Sequence, residues 1–440
     1  WMNGHYVWYI LPDGVEVKKV AFRETGYDTE FAGSFTCDDP FLNELWKKAA
    51  RTLYITMRDT YFDCPDRERA QWWGDAVNEL GEAFYALSPS SHKLAAKGIR
   101  ELVNWQRDNG VLYSPVPGVG TSELPLQMLA SIGWYGFYTQ YFYSGDSSFV
   151  AEVYEPVHRY LHQVWQVGED GLPLLRKGDW NWGDWGEDID MGVLTTCWYY
   201  LALKAEREFA TMLGRREDAE KDTRMMEKIE KAFDGAYWTG SVFRSKEYQG
   251  ADDDRAQAMA VVSGLASADK YPVLTEALKK EYHASPYMEK YVLEALFVMG
   301  QPEAALHRIH ERYAKMMGYK DYTTLFEGWG IGAEGFGGGT INHAWSGGPL
   351  TMMSQKVVGI EPTSPAFETF RVAPQLGKLK HTEASLVTAD GSRIRVAVEQ
   401  DEQGRMTIRL EVPKGKKAQV VFPDGKTRNV GAGTHKLTGK

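Results

Sequence analysis

The sequence predicts a mainly α-helical protein, in which an (α/α)6 toroid is followed by a small antiparallel β-sandwich domain and preceded by remnant N-terminal β-strands. About twelve helical stretches follow one another in the middle of the chain, and helices that arrive as antiparallel pairs are typical of a toroid. Alternating apolar residues before and after them indicate strands. We therefore divide the chain into residues 1–36, the catalytic residues 37–359, and residues 360–440.

The N-terminal segment has the pattern of a β-hairpin. Residues 7–10 and 15–17 are apolar runs that flank the turn Pro12-Asp13-Gly14, and β character continues to about Phe31. So short a β segment buries too little apolar surface to fold alone. We therefore interpret residues 1–36 as the end of a sheet whose earlier strands are missing, and the chain as a fragment of a longer protein.

The central helices begin at capping residues. Asp38-Asp39-Pro40 is expected to start a helix that ends near Arg58, and a second helix is expected from Pro65 to about Leu87. Further helices are expected at residues 91–108, 123–143, 147–166, 190–213, 215–235, 253–265, 270–281, 286–299, 302–315 and 341–357. After residue 360 the apolar alternation, which is strict in residues 406–412, predicts the antiparallel β-domain.

Two loops, at residues 177–190 and 322–343, interrupt the helices. Both combine Gly with Trp and acidic residues. Gly permits tight turns, and Trp supplies a flat surface for stacking. Loops carry function more often than the elements that hold them. The acidic residues of the first loop lack a recognised ion-binding spacing, so we expect no metal and no cofactor.

Composition narrows the classes of partner. The net charge of −10 argues against nucleic acid and anionic membranes, and no apolar run is long enough to span a bilayer. The 13% aromatic content, with 15 Trp, is typical of a carbohydrate site, although a large aromatic core is the alternative. The first ten residues lack the pattern of a signal peptide, and three cysteines are too few for a disulfide framework. The compartment is left open, with a periplasmic or extracellular location favoured over a cytoplasmic one. We expect a carbohydrate partner, in an oligomeric state that the sequence also leaves open.

The stretch at residues 63–75 concentrates residues with chemical function. A helix that begins at Pro65, capped by Asp63, places four residues on one face: Glu68, Trp72, Asp75 and Glu79. Buried carboxylates are costly unless they are paired or used, and Trp between acids suits a sugar site. The alternative is that Asp63 and Glu68 only cap the helix while Asp75 pairs with Arg67 or Arg69.

A glycosidase with paired carboxylates needs a second acid on the far side of the bond that is cut. Glu327 is the best choice, because its loop is rich in Gly and Trp and because Phe326 and Trp329 offer apolar surroundings that tune a pKa. Asn342 and His343 follow within reach of a sugar hydroxyl or a water. The alternative for His343 is a histidine at a helix start with a satisfied hydrogen bond.

These residues resemble the inverting α-L-rhamnosidases of glycoside hydrolase family 78. The family signature Asp-Cys-Pro-x-Arg-Glu-x-x-x-Trp-x-Gly-Asp is matched by Asp63, Cys64, Pro65, Arg67, Glu68, Trp72, Gly74 and Asp75. A later motif, Thr-Thr-aromatic-Glu-x-Trp with an Asn-His pair, is similar to Thr323, Thr324, Phe326, Glu327, Trp329, Asn342 and His343. The resemblance covers about residues 20–440 and implies an (α/α)6 barrel between β-domains.

The resemblance also implies roles for single residues. Glu68 would be the general acid, kept protonated near neutral pH by burial and neighbouring acids, and Glu327 the base that activates water. The substrate-binding residues would be Asp63, Arg67, Trp72, Asp75, Trp180, Trp185, Trp329 and His343. Trp180 and Trp185 are alternative matches to an aromatic that packs on the sugar ring, and Trp185 is favoured. The expected reaction is release of terminal L-rhamnose from a polysaccharide, an oligosaccharide or a glycoconjugate.

The chain departs from the family at residues 124–129, which read Leu-Pro-Leu-Gln-Met-Leu where many members have a Pro-x-Trp-x-Asp-like segment. A Trp and a polar contact are therefore expected to be lost, which leaves the identity of the sugar open. The alternatives are a related glycosidase for another sugar, a non-catalytic carbohydrate-binding relative, or a polysaccharide lyase. Residues 252–254, three consecutive Asp, also prompt a terpene cyclase, but acids at a helix start are common caps.

Overall fold

The computed structural model describes residues 6–118, 120, 122–332 and 339–440. The α-helices in this part of the chain are α1 Pro40–Ile55, α2 Trp73–Ala86, α3 His92–Asn104, α4 Pro125–Ile132, α5 Thr139–Ser144, α6 Val150–Arg159, α7 Met191–Met212, α8 Arg216–Tyr237, α9 Asp254–Ser263, α10 Tyr271–Lys280, α11 Pro286–Val298, α12 Pro302–Gly318 and α13 Gly348–Met352. Three π-helical turns, Trp134–Tyr138, Tyr160–Val164 and Met353–Val357, lie next to α5, α6 and α13.

Six helices form a closed inner ring. In order around the ring, α2, α4, α7, α9, α11 and α13 each pack on the next, and α13 packs back on α2. Every residue of α2 and α4 is buried, as expected for helices with protein on all sides. The outer helix α8 instead buries only Asp222, Met226, Ile229 and Phe233, one stripe at helical spacing. The predicted toroid is confirmed.

Capping residues start several of these helices. Asp39 accepts a hydrogen bond from Phe41 N at α1, and Asp190 accepts from Gly192 N and Val193 N at α7. Asp253 caps α9 in the same way. The acidic run at residues 252–254 therefore lies at the capped start of α9, as expected from the interpretation of these acids as helix caps.

The helix predicted from Pro65 is wrong in its first two turns. Residues 65–72 form turns and irregular backbone, and α2 begins only at Trp73. Asp63 Oδ1 accepts from the backbone N–H of Ala70 at 3.0 Å, which closes a loop, and Arg69 has a left-handed φ of 53° that a helix does not permit. Glu68 and Trp72 therefore do not share a helical face with the later acids of α2.

The prediction of an N-terminal hairpin is also wrong for the residues that the structure describes. Residues 6–33 contain no strand, and side chains such as Trp8 and Phe22 are exposed, so the apolar runs find no sheet to join. The first strand is β1, Ser34–Cys37, which pairs antiparallel with a C-terminal strand through Phe35↔Ala384. The proposed domain limits stay a prediction.

The C-terminal domain is the predicted β-sandwich. Its strands are β2 Ile360–Pro362, β3 Thr369–Val372, β4 His381–Val387, β5 Arg393–Gln400, β6 Met406–Val412, β7 Lys417–Val421, β8 Thr427–Val430 and β9 Gly433–Gly439. One sheet has the order β1-β4-β5-β6-β9 and the other β2-β3-β7-β8. All pairings are antiparallel except β3 with β7, which is parallel. Strict alternation in β5 and β6 buries one side of each strand against the other sheet.

None of the described helices combines the length and the apolar character that a bilayer crossing requires.

Candidate active site

A cavity of about 370 Å³ lies at the N-terminal end of α2. The described residues that line it are Asp63, Arg67, Glu68, Trp72, Asp75, Leu124, Gln127, Trp180, Trp182, Trp185, Glu327, His343 and Trp345. The structure therefore brings together both predicted catalytic acids and every predicted binding residue except Trp329. Segments that are far apart in the chain supply them: the loop before α2, the start of α4, and the two Gly- and Trp-rich loops.

Glu68 and Glu327 contact the same guanidinium group. Arg67 Nε donates to Glu68 Oε2 at 2.7 Å, and Arg67 Nη2 lies 3.4 Å and 3.5 Å from the two carboxylate oxygens of Glu327. Because both acids touch one rigid planar fork, the contacting oxygens are at most about 8.5 Å apart. Glu68 is half-exposed, whereas Glu327 is buried, so the two carboxylates meet different surroundings.

The pKa values of Asp63 and Glu68 are shifted in opposite directions. Burial raises the pKa of Asp63 to about 8, and the adjoining Glu68 carboxylate adds to the rise against the opposing positive charge of His343. Burial acts in the same direction on Glu68, but Asp63 and the Arg67 guanidinium outweigh it and lower the Glu68 pKa to about 2. These directions oppose the expectation that Glu68 itself stays protonated near neutral pH, and they favour Asp63 as the protonated member of the pair.

Backbone contacts fix the Glu327 side chain. Its Oε2 accepts from Thr340 N at 2.9 Å, and its own N–H donates to the Thr340 carbonyl at 2.9 Å. The Trp345 indole donates to the Glu327 carbonyl at 3.0 Å. A carboxylate held by a backbone amide and a guanidinium has few orientations available. Glu327 is consequently preorganised toward the cavity.

His343 joins the second loop to α2. Its Nε2 lies 2.7 Å from Asp75 Oδ1 and its Nδ1 lies 2.8 Å from Thr340 Oγ1, with Glu327 Oε2 at 3.9 Å. Burial lowers the His343 pKa, but the Asp75 and Glu327 carboxylates outweigh it, so that the pKa is raised. His343 also precedes a short 3-10 helix, Ala344–Gly347, and its hydrogen bonds are satisfied, as the alternative interpretation expected, while its contact with a sugar stays a prediction.

Tryptophans build one wall of the cavity. The rings of Trp180 and Trp185 lie 5.8 Å apart, and Trp72 meets Trp180 edge-on at 6.4 Å. Trp182 stacks on Trp345 at 6.1 Å with an interplanar angle of 14°. Both alternatives for the ring-packing aromatic, Trp180 and Trp185, therefore line the cavity. Their surfaces are flat and apolar, with indole N–H groups at the edges.

The acidic residues of the first loop hold the loop in place. Buried Asp184 accepts from Ser285 N at 2.8 Å and lies 3.3 Å from Arg255 Nη1. Arg255 Nη2 donates to the carbonyls of Glu187 and Asp188 at 2.7 Å and 2.8 Å. This fully buried arginine shapes the loop that presents the tryptophans.

Trp329 does not line the cavity, contrary to its predicted binding role. Its indole donates to the Ala284 carbonyl at 2.9 Å, and its ring packs under Arg312 at 4.1 Å and against Tyr313. Trp329 therefore anchors the second loop against α12. A motif position two residues after a catalytic acid does not by itself tell whether a side chain faces the substrate or the scaffold.

Four residues that line the cavity were not predicted as site residues from the sequence: Leu124, Gln127, Trp182 and Trp345. Trp182 lies between the two expected tryptophans, so the composition of that loop could have found it. Gln127 was visible only as part of a departure from the family. A Cβ at Gly74 would approach the Gln127 amide to 2.8 Å, so the signature glycine allows this side chain its place. Among described residues, Gln127 Oε1 has no hydrogen-bond partner.

Comparison with known families decides the relationship. Residues 30–357 match the bacterial alpha-L-rhamnosidase 6 hairpin glycosidase domain, and residues 359–436 match the bacterial alpha-L-rhamnosidase C-terminal domain. The chain belongs to the bacterial α-L-rhamnosidase family. The resemblance to glycoside hydrolase family 78 is thereby confirmed, and the helical and β parts of this rhamnosidase-family chain correspond to the two matched domains.

Individual relatives agree with this membership. An α-L-rhamnosidase of Formosa agariphila is 23% identical over 380 residues, 80% of this chain and 40% of the relative. The family 78 rhamnosidase of Bacillus sp. GL1 has a TM-score of 0.80 at 23% identity, over 91% of this chain and 44% of that chain. The α-L-rhamnosidase of Streptomyces avermitilis, complexed with L-rhamnose, has a TM-score of 0.79 at 22% identity, over 94% of this chain and 42% of that chain. The chain spans less than half the length of the curated relatives it matches.

Proposed function

We propose that the chain carries the active site of an inverting α-L-rhamnosidase, which releases terminal L-rhamnose from a polysaccharide, an oligosaccharide or a glycoconjugate. One observation carries the proposal: Glu68 and Glu327 line a single cavity and contact the two arms of the Arg67 guanidinium. Family membership supports rhamnose as the sugar. The alternative of a non-catalytic relative is disfavoured because both acids are present and positioned.

The cavity suits a sugar in size and lining. Its volume of about 370 Å³ lies within the range of about 300–1,000 Å³ that small-ligand pockets occupy. Trp180, Trp182 and Trp185 offer apolar faces to the C–H groups of the ring, and Asp63 and Asp75 offer acceptors to its hydroxyls. Arg67 supplies donors that a neutral sugar can share with the two acids.

In the proposed reaction, Glu68 gives a proton to the glycosidic oxygen as the bond to the anomeric carbon breaks. Glu327 takes a proton from a water whose oxygen bonds to the opposite face of that carbon. Because Asp63 and Arg67 lower the pKa of Glu68 in the free protein, the transferred proton comes from Asp63, one of whose oxygens lies within 4.8 Å of an oxygen of Glu68. Asp63 thus stores the proton that Glu68 delivers.

The spacing of the acids is consistent with inversion. The upper limit of about 8.5 Å between the oxygens on Arg67 falls within the separation of about 6.5–9.5 Å that leaves room for a water. A retaining pair, at about 5 Å, also satisfies this limit. The anomer of the released sugar therefore decides between the two stereochemical courses.

The test is hydrolysis of nitrophenyl glycosides, with nitrophenyl α-L-rhamnoside first and the released anomer followed by NMR. We expect β-L-rhamnose as the first product. Glu327→Gln should lower the turnover number by about 10²–10⁴, the usual contribution of a general base. Glu101→Gln, at a surface ion pair with Lys97, is the matched control and should retain activity. Hydrolysis at the normal rate by Glu327→Gln, or α-L-rhamnose as the first product, contradicts the proposal.

A second candidate function, hydrolysis of another sugar in the same way, is favoured by the lining near α4. Leu124 and Gln127 occupy the wall where many family members have Trp and a polar group. The same screen with nitrophenyl glycosides of other sugars separates the two candidates. A higher kcat/KM on one of those than on the rhamnoside would favour the second.

A further inference from the structure

A cluster of side chains of the types that bind metal ions lies outside the cavity, where helices α6, α7 and α8 meet. His158 is on α6, His162 is on the π-helical turn that follows it, Glu206 is on α7 and Asp222 is on α8. None of the four is among the described residues that line the cavity. The proposed hydrolysis makes no use of them.

The imidazole nitrogens and carboxylate oxygens of this cluster lie close together. His158 Nδ1 lies 2.6 Å from Glu206 Oε1, and His162 Nε2 lies 2.9 Å from Glu206 Oε2. One donor atom from each of these residues falls within 4.8 Å of the other two. Zinc bonds of about 2.0–2.1 Å in a tetrahedral site require donors about 3.3 Å apart, so changes of at most about 1.5 Å in the donor–donor distances would admit an ion.

Asp222 is the independent observation that favours a cation. Its side chain is fully buried, and its Oδ1 lies 3.1 Å from His162 Nε2. Even so, neither Asp222 oxygen has a hydrogen bond in the described part of the chain, because the His162 N–H can point at only one carboxylate and Glu206 is nearer. Both imidazoles hydrogen-bond to Glu206, so among the described residues the buried Asp222 carboxylate is left without a hydrogen bond of its own, which is costly in a helix interface.

We propose that His158, His162 and Glu206 bind one divalent transition-metal ion of the zinc type, with Asp222 as the fourth donor, directly or through one water. Two imidazoles and carboxylates are a ligand set that such ions use. Two histidines four residues apart lie on one side of a helix, and the π-turn adjusts the second toward α7. His158 is one-fifth exposed and gives the ion a path from solvent.

The ion would add a link between three helices of the toroid that already meet through side-chain hydrogen bonds, such as His158 with Glu206 and Tyr154 with Asp218. The ring of Tyr154 stacks on His158 with an interplanar angle of 17°, which holds the imidazole at the edge of the site. The expected consequence is stabilisation of the α6–α7–α8 region with no change in the sugar site. The expectation of no metal rested on the acidic loop at residues 177–190 alone, and these four residues lie outside that loop.

The experiment uses the tag-free chain, stripped with a chelator and dialysed, and then titrated with ZnCl₂ by calorimetry, with bound zinc counted by mass spectrometry. We expect one equivalent of zinc and a higher melting temperature. His158→Ala and Glu206→Gln should each weaken binding more than tenfold, since even the loss of a supporting contact costs about 10–100-fold. His310→Ala, which removes a histidine paired with the single carboxylate of Asp39, is the matched control and should bind zinc normally.

Circular dichroism and melting of the metal-free variants separate a binding defect from misfolding, and a Co²⁺ visible spectrum of the wild type reports nitrogen and carboxylate ligation directly. Less than stoichiometric zinc in the wild type overturns the proposal. Normal affinity in both folded cluster variants does the same. If neither variant folds, the absence of Co²⁺ ligand-field bands in the wild type would overturn it, and their presence would support it.

Discussion

Replacing Asp63 by Asn tests the division of the proton between Asp63 and Glu68. In the wild type the pair should lose its proton with a pKa near 8, the value to which burial raises Asp63, so kcat/KM should fall about tenfold per pH unit above pH 8. In Asp63→Asn, Glu68 alone remains, and Arg67 favours its ionised form. Even if the Glu68 pKa returned to about 4.3, only about one molecule in 500 would carry the acid proton at pH 7. Activity at pH 7 should therefore fall by at least about 100-fold.

The assay is the pH profile of kcat/KM from pH 4 to 10 on phenyl α-L-rhamnoside, a substrate whose leaving group needs protonation. Asn can keep the acceptor contact that Asp63 Oδ1 makes with Ala70 N, so the loop before α2 should stay folded. A residue that only binds a hydroxyl would lower kcat/KM equally at every pH, whereas loss of the stored proton moves the alkaline limb to lower pH. An unmoved limb near pH 8 in the variant would refute the reasoning.

Three further predictions concern the cavity and the loop that carries Glu327. Asp75→Asn and His343→Asn each break a fully buried ion pair and should destabilise the chain by about 3–5 kcal/mol in denaturant unfolding, while the double variant should lose less than the sum; additive losses would argue against the pair. Gln127→Leu should change the ratio of kcat/KM between rhamnoside and other nitrophenyl glycosides while leaving the pH profile unchanged; an unchanged ratio would remove Gln127 from sugar selection. Trp329→Phe loses the indole bond to Ala284 and should lower the melting temperature with little effect on KM, and a large rise in KM would restore its predicted binding role.

Sequence patterns predicted the toroid and the β-domain because both follow from local periodicity. Helices such as α7 and α12 appear within a few residues of their expected bounds, and the strict alternation of β6 leaves one buried face. The N-terminal apolar runs fail for a physical reason: a strand needs a partner, and residues 6–33 pair with none in the described structure. Only β1 finds one, and its partner lies in the C-terminal sheet.

Most residues that line the cavity could be predicted from the sequence, but the backbone conformation that brings them together could not. Spacing assigned Glu68, Trp72 and Asp75 to one helical face, whereas the structure brings the first two to the cavity through a loop closed by Asp63. The spacing was helical by coincidence, and only tertiary contacts reveal that. The raised pKa of Asp63 could not be predicted for the same reason. It depends on how deeply Asp63 is buried relative to Glu68 and on which of the two carboxylates Arg67 contacts.

The protonation of Asp63 also sets the charge of the cavity. Arg67 faces the carboxylates of Glu68 and Glu327, and His343 faces the carboxylate of Asp75, so acidic groups outnumber basic groups among these five side chains. A transition state with oxocarbenium character is positive, so an excess of acidic groups is complementary to it. Ionised Asp63 would add a further negative charge in a largely buried site, where desolvation makes charge costly. In the proposed reaction the stored proton would therefore serve both steps: it would keep the resting cavity from excess negative charge, and it would be the proton that the leaving group takes.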